Sequence, residues 1–203
     1  MVTVVGIGPG HPDYITPAAA RCIKKANVLI GGRRVLSSVD VDGKDIHYIT
    51  SDIESAVKVV RENADRKVAV VVGGDPGFYS ILKTIRNRLP ELNIEVIPGI
   101  SPVQLLFSMI GCEWQDVTLV SVHGRPVNEL KEAIVRNRKV CVLTDERLTA
   151  PEVCKYLKGL GMAGRAVVGK NLSYPDQEII DATVNEVAGM AGLGSSVLYV
   201  EQV

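Results

Sequence analysis

Three glycine- and proline-rich segments follow runs of apolar residues: Gly6-Ile7-Gly8-Pro9-Gly10, Gly73-Gly74-Asp75-Pro76-Gly77 and Pro98-Gly99-Ile100-Ser101-Pro102. Adjacent glycines let the backbone approach a ligand closely or take φ > 0. The aspartate before Pro76 is pushed out of the α region, which stiffens the middle loop. A loop of this kind can offer backbone N–H and C=O groups to a small molecule at little ordering cost, although an ordinary βα turn uses the same residues. The first loop lacks the full GxGxxG spacing, and Pro9 and Pro12 keep the chain from passing directly into a helix, so a dinucleotide site has poor support.

The polar candidates sit after other apolar runs. His123 and Arg125 follow Val117–Val122, and Asp145 and Glu146 follow Lys139–Leu143. Arg125 can pair with a substrate carboxylate through a bidentate contact, and His123 can move a proton near neutral pH. Both also suit a turn with a local acidic partner, the less favoured reading. Asp145 can orient a substrate or assist proton removal; the alternative for it and Glu146 is electrostatics at a helix N-terminus. Arg33 and Arg34 follow the Gly31-Gly32 pair and suit either an anionic substrate or a solvated surface. One of the two is expected to be functional, and the sequence does not choose between them. His47, inside a strand pattern, is read as structural. No GxSxG, HExxH, CxxC, Walker lysine or kinase signature occurs. Covalent hydrolysis, zinc catalysis and ATP hydrolysis therefore have no positive support, and a transfer reaction has to rely on positioning.

The elements that must position these residues alternate between strand and helix. Val68–Val72 reads as a buried parallel strand, whose carboxyl end is where an open α/β sheet places ligands. Other strands are expected at Val2–Gly6, Val28–Ile30, Ile46–Ile49 and Ile94–Ile97. Helices are expected over Ala18–Ala26 behind Thr16-Pro17, over Ile53–Asn63 behind Asp52, over Phe78–Arg88, and from Ser101-Pro102 to Ile110. Gly111–Asp116 is the linker candidate, dividing the chain into 1–112 and 113–203. The second half continues with Val117–Val122, a helix over Val127–Asn137, Lys139–Leu143, a helix from about Thr149 to Lys158, and Arg165–Gly169. Glu178–Ala182 has charges around an apolar pair and suits a solvated antiparallel strand; Ser196–Val200 closes the series. The first half reads as mostly parallel and the second as mixed, with a cleft between them as a favourable ligand location.

Composition narrows the partners. The chain has 203 residues, and Lys+Arg and Asp+Glu each total 23, so no basic excess points to nucleic acid or an anionic membrane. Aromatic residues at 4% argue against base-stacking platforms. No segment approaches the apolar length of a bilayer span, and a cytosolic protein is the default. Cys22, Cys112, Cys141 and Cys154 form no CxxC pair; Cys22 and Cys141 suit buried free thiols, and with 3 histidines no zinc or other metal site is expected.

The three loops, in this order and separation, resemble those of the tetrapyrrole (corrin and porphyrin) methylase family. Gly31-Gly32-Arg33-Arg34-Val35-Leu36, Ser121-Val122-His123-Gly124-Arg125 and Leu143-Thr144-Asp145 further resemble the subgroup that methylates C5 of precorrin-7 or cobalt-precorrin-7. Pro98–Gln104 is close to that subgroup's Pro-Gly-Ile-Ser-Ser-x-Gln form, with Pro102 replacing its second serine. Gly169-Lys170-Asn171-Leu172-Ser173 resembles the family's late glycine–leucine loop.

The resemblance implies a two-domain α/β fold with a ligand cleft between a mostly parallel sheet and a mixed one. It also implies S-adenosyl-L-methionine as methyl donor, S-adenosyl-L-homocysteine as product, and a homodimer. It places Gly73, Gly74, Asp75, Pro76, Phe78 and Tyr79 beside the donor, Ser101 and Pro102 below it, and Thr144, Asn171 and Leu172 on its other side. Gly8, Pro9 and Gly10 face the tetrapyrrole, whose acidic side chains Arg33 or Arg34, His123 and Arg125 engage. His123, Arg125 and Asp145 are the catalytic candidates. Some subgroup members carry a fused domain that methylates C15 and decarboxylates the C12 acetate. A chain ending at Val203 leaves no room for it, so that chemistry is expected of a separate polypeptide, with cobalt-precorrin-7 as the favoured substrate. Metal-free precorrin-7, another corrin position, a modified histidine on a translation factor, and a non-catalytic adenosine-ligand module are the competing readings.

Overall fold

The computed structural model describes residues 1–122 and 128–202. They form two compact units, Met1–Pro102 and Val103–Val203. The boundary thus falls ahead of the glycine-containing stretch at 111–116 that the sequence marks as a linker.

The first unit runs β1 (Val2–Gly6), a 3₁₀ turn (Pro12–Tyr14), α1 (Pro17–Lys25), β2 (Val28–Gly31), α2 (Arg33–Leu36), β3 (Asp45–Tyr48), α3 (Ile53–Glu62), β4 (Val68–Val72), α4 (Leu82–Arg88) and β5 (Ile94–Ile97). All five strands are parallel, in the order β3-β2-β4-β1-β5. Val68–Val72 is buried throughout, as an apolar strand covered on both faces has to be. Val2, Val4, Val28, Ile30, Val68 and Val70 pack towards Val57 and Val60 of α3, Ile85 of α4 and Leu89 just after it. Val5, Leu29, Ala69 and Val71 pack towards Ala19, Ile23 and Leu36 of α1 and α2.

Local chemistry sets the helix starts. The Thr16 hydroxyl accepts from Ala19 N at 3.2 Å with Pro17 in the first turn, and Asp52 accepts from Ser55 N at 3.1 Å. The helix expected from Phe78 begins only at Leu82. Tyr79 takes φ 51°, in the left-handed region that interrupts a right-handed helix, and the Ser80 hydroxyl accepts from Leu82 N at 3.1 Å.

The second unit contains most of α5 (Pro102–Met109), then β6 (Thr118–Ser121), α6 (Asn128–Arg136), β7 (Lys139–Leu143), α7 (Ala150–Gly159), β8 (Gly164–Lys170), β9 (Glu178–Thr183), α8 (Val184–Ala188) and β10 (Ser196–Gln202). Its sheet has the order β6-β7-β10-β8-β9, with β6 parallel to β7 and every other pair antiparallel. The mixed sheet expected here is present, and β9 is its half-solvated edge. One face packs on Val153, Leu157, Val184 and Val187 of α7 and α8. On the other, Phe107 of α5 meets Tyr199 edge-to-face with ring centroids 5.0 Å apart. A capping box starts α8, where Thr183 and Glu186 satisfy each other's backbone N–H groups.

Cys141 and Cys154 are buried free thiols; burial pushes Cys154 up to about 12 and Cys141 higher still, so neither is a nucleophile near neutral pH. Cys22 is only half-buried. Among the described residues, no helix is long and apolar enough to cross a membrane.

Candidate active site

Strand register brings the first unit's loops to one place. Gly6 pairs with Val72, Val5 with Ile97, and Gly31 with both Val71 and Tyr48. The carboxyl ends of all five strands therefore finish together. The helix after β1 packs on one face of the sheet and the helix after β4 on the other. Adjacent parallel strands whose connections diverge in this way open the crevice where such sheets bind ligands.

Three glycines allow the loops to interlock there. A Cβ on Gly6 would lie 2.5 Å from Gly74 O and 2.7 Å from Gly99 N, and one on Gly99 would collide with Gly74 O and Gly6 C. Ile7 N donates to Val72 O at 3.0 Å, and Gly74 N donates to Gly8 O at 2.7 Å in a short antiparallel bridge. Gly8 and Gly74 have φ of 77° and 68°, which glycine adopts without a Cβ penalty. These N–H and C=O groups hold one loop to the other.

Asp75 extends the same lock. Its Oδ1 accepts from Gly77 N at 2.7 Å and its Oδ2 from Gly99 N at 3.1 Å, tying the β4 loop to the β5 loop. Beyond it, the Ser80 hydroxyl donates to Pro76 O at 2.5 Å. Phe78 and Tyr79 stack edge-to-face at 4.8 Å, and the Tyr79 ring stays exposed on its left-handed backbone. Strained residues of this kind persist where surrounding structure over-determines them, commonly at ligand sites. Ser101 is buried, and Pro102 Cδ comes 3.0 Å from where a Gly74 Cβ would stand. Around Gly73 the space is open: chain neighbours aside, only Val35 Cγ2, at 3.7 Å, lies within 4 Å of its missing Cβ among the described residues. Backbone groups beside an exposed aromatic ring suit the ribose, adenine and methionine parts of an adenosyl ligand.

Val35 belongs to α2, so the Gly31-Gly32-Arg33-Arg34 segment reaches the same loop. Arg33 lies over the Tyr48 ring, 4.3 Å from guanidinium carbon to ring centroid. The sequence reading passes over Tyr48, because its pairing with Gly31 arises only through strand register. His47 lies in β3 with Nε2 3.1 Å from Asp45 Oδ1.

Register also gathers the second unit's candidates. Val197 pairs with Leu143 and with Gly169, so Thr144 and Asn171 emerge at the same end of that sheet, on either side of Ser196. Thr144 is buried, and its hydroxyl is committed: it accepts from Ser196 N at 2.8 Å and lies 3.0 Å from both Ser196 O and Ser196 Oγ. Thr144→Val is expected to lower stability by about 1–3 kcal/mol by orphaning these groups, measurable by thermal denaturation. Asp145 Oδ1 accepts from Arg147 N at 2.8 Å and Leu148 N at 2.7 Å, forming its own turn, while Glu146 accepts from the Ser195 hydroxyl at 3.0 Å. Asn171, with φ 46°, donates to Asp176 at 2.6 Å. The Leu172 side chain is core, filling the space a Gly169 Cβ would need. His123 and Arg125 lie outside the described residues.

The sequence model of the Tetrapyrrole (Corrin/Porphyrin) Methylases matches residues 1–188. A Salmonella typhimurium protein named cobalt-precorrin-7 C(5)-methyltransferase is 34% identical over 180 residues, 88% of this chain and 89% of that protein. The solved precorrin-6Y methylase of Archaeoglobus fulgidus superposes with a TM-score of 0.79 at 22% identity, covering 100% of this chain and 98% of the other. The uroporphyrin-III C-methyltransferase of Thermus thermophilus, solved with S-adenosyl homocysteine, gives 0.81 at 23% identity, covering 98% and 96%. The chain belongs to the tetrapyrrole (corrin/porphyrin) methylase family.

Proposed function

We propose that this protein transfers a methyl group from S-adenosyl-L-methionine to C5 of cobalt-precorrin-7, in the anaerobic route to cobalamin. The observation that carries this reading is the near full-length match to the Salmonella relative named for that reaction. The interlocked glycine loops, joined to a segment bearing two arginines, support it from the geometry.

S-adenosyl-L-methionine, when bound, supplies an electrophilic sulfonium methyl group. The backbone of the Gly73–Pro76 loop, with Phe78 and Tyr79, would hold it, and Ser101-Pro102 would close the floor beneath. Asp75 acts from behind, keeping that loop in register with Gly99 rather than touching the ligand. Gly8, Pro9 and Gly10 present the tetrapyrrole. Arg33 or Arg34, with His123 and Arg125, receives its carboxylates. An electron-rich ring carbon needs alignment more than activation, so positioning carries most of the rate. Asp145 orients substrate through its rigid turn, with His123 and Arg125 as the accompanying catalytic candidates. We assign C15 methylation and decarboxylation to another polypeptide, because the Salmonella relative is named for C5 alone and is matched over nearly its whole length. A homodimer, on the family resemblance, and a cytoplasmic location complete the reading.

Purified protein incubated with S-adenosyl-L-methionine is expected to convert cobalt-precorrin-7 to a product heavier by one methyl group, read by mass spectrometry. Faster turnover of metal-free precorrin-7 would move the assignment to the cobalt-free substrate. No turnover of either would overturn it.

A further inference from the structure

We propose that Tyr48 is a positioning residue for Arg33, and that the stacked pair receives a carboxylate side chain of the tetrapyrrole; this rests on the substrate class proposed above. Three observations lead here. First, Arg33 lies over the Tyr48 ring at 4.3 Å and, among the described residues, has no carboxylate partner. Other arginines of this unit do: Arg61 reaches Glu91 at 3.9 Å, Arg66 reaches Asp45 at 2.8 Å, and Arg88 reaches Glu54 at 2.8 Å. Second, the pair stands at the ligand end of the sheet. Tyr48 closes β3 in register with Gly31, and α2, which begins at Arg33, places Val35 against Gly73 of the donor loop. Third, Tyr48 is 46% exposed and its hydroxyl has no hydrogen-bond partner among the described residues. Packing does not account for a large aromatic in that position.

A guanidinium held over a ring face keeps N–H groups available on the sides turned away from the ring. The ring's negative face holds the cation and restricts a long side chain that solvent would otherwise leave mobile. What remains is a pre-oriented planar fork, suited to bidentate capture of a carboxylate. The stack also separates Arg33 from Arg34, which the sequence leaves equivalent.

The test is equilibrium binding of cobyrinic acid, a corrin with free acetate and propionate chains, to protein saturated with S-adenosyl-L-homocysteine. Tyr48→Ala and Arg33→Lys are each expected to weaken it about three- to tenfold, and Tyr48→Phe less than about twofold. The double variant Tyr48→Ala/Arg33→Lys is expected to lose little beyond either single change, since both remove the same stack. Affinity for S-adenosyl-L-homocysteine is expected to stay within about twofold throughout, the range left when no contact to that ligand is touched. In turnover, Tyr48→Ala should raise KM for the tetrapyrrole while leaving kcat unchanged. Wild-type cobyrinic acid affinity in Tyr48→Ala, losses that add in the double variant, or a parallel loss of S-adenosyl-L-homocysteine binding would overturn the proposal. Normal stacking behaviour with no methylation of cobalt-precorrin-7 by the wild-type protein would remove the proposed reaction and leave the pair's role standing.

Discussion

Gly99→Ala is expected to weaken S-adenosyl-L-homocysteine binding about a hundredfold or more, the effect of roughly 3 kcal/mol of distortion opposing the bound geometry. The reason is steric. The new Cβ would collide with Gly74 O and Gly6 C, backbone atoms that cannot rotate away. Relief requires the three loops to part, which breaks the Gly8–Gly74 bridge and displaces the backbone beside Gly73. Gly159→Ala is the matched control. Among the described residues nothing outside its own helix and chain neighbours lies within 4 Å of its missing Cβ, and it ends α7, where alanine is the better helix former. Calorimetry on both variants checks this: normal binding by Gly99→Ala would show that the loops yield without consequence.

Removal of the Asp75 carboxylate is expected to have the second-largest effect. Asp75→Ala eliminates the acceptors at 2.7 Å for Gly77 N and at 3.1 Å for Gly99 N. Hydrogen bonds to a charged acceptor contribute about 1.5–3 kcal/mol each when removal leaves the partner unsatisfied. The Gly77 side is exposed, so a total of about 2–3 kcal/mol is expected, with Asp75→Asn retaining part of it. Because the lock sets the donor loop, S-adenosyl-L-homocysteine affinity should fall together with melting temperature. Affinity lost at an unchanged melting temperature would make Asp75 a direct ligand contact instead. Neither changing would remove it from the site.

Local signals carried the elements well. β-Branched runs announced Val2–Gly6 and Val68–Val72, and caps at Thr16 and Asp52 announced helices, because each depends on neighbours in the chain. Charges flanking Ile179 and Ile180 announced a solvated antiparallel strand, and β9 is one. Phe78–Leu82 misled, since its apolar spacing suits a helix while the Asp75–Gly77 turn and the left-handed Tyr79 delay one. Glycine loops were visible as ligand candidates, yet their grip on one another was not: Gly6, Gly74 and Gly99 meet only through strand register. The same distance in sequence hid the bond from Asp75 to Gly99, the stack of Arg33 on Tyr48 and the binding of the Thr144 hydroxyl by Ser196. Leu172 was read as a donor contact; that its side chain also packs into the core around Gly169 was not visible in the sequence.

The most direct test of the central claim is regiochemical. Turnover of cobalt-precorrin-7 with S-adenosyl-L-methionine labelled with ¹³C in its methyl group should yield one enriched methyl resonance, correlated by NMR with C5 of the macrocycle. Enrichment at any other ring carbon would contradict the account.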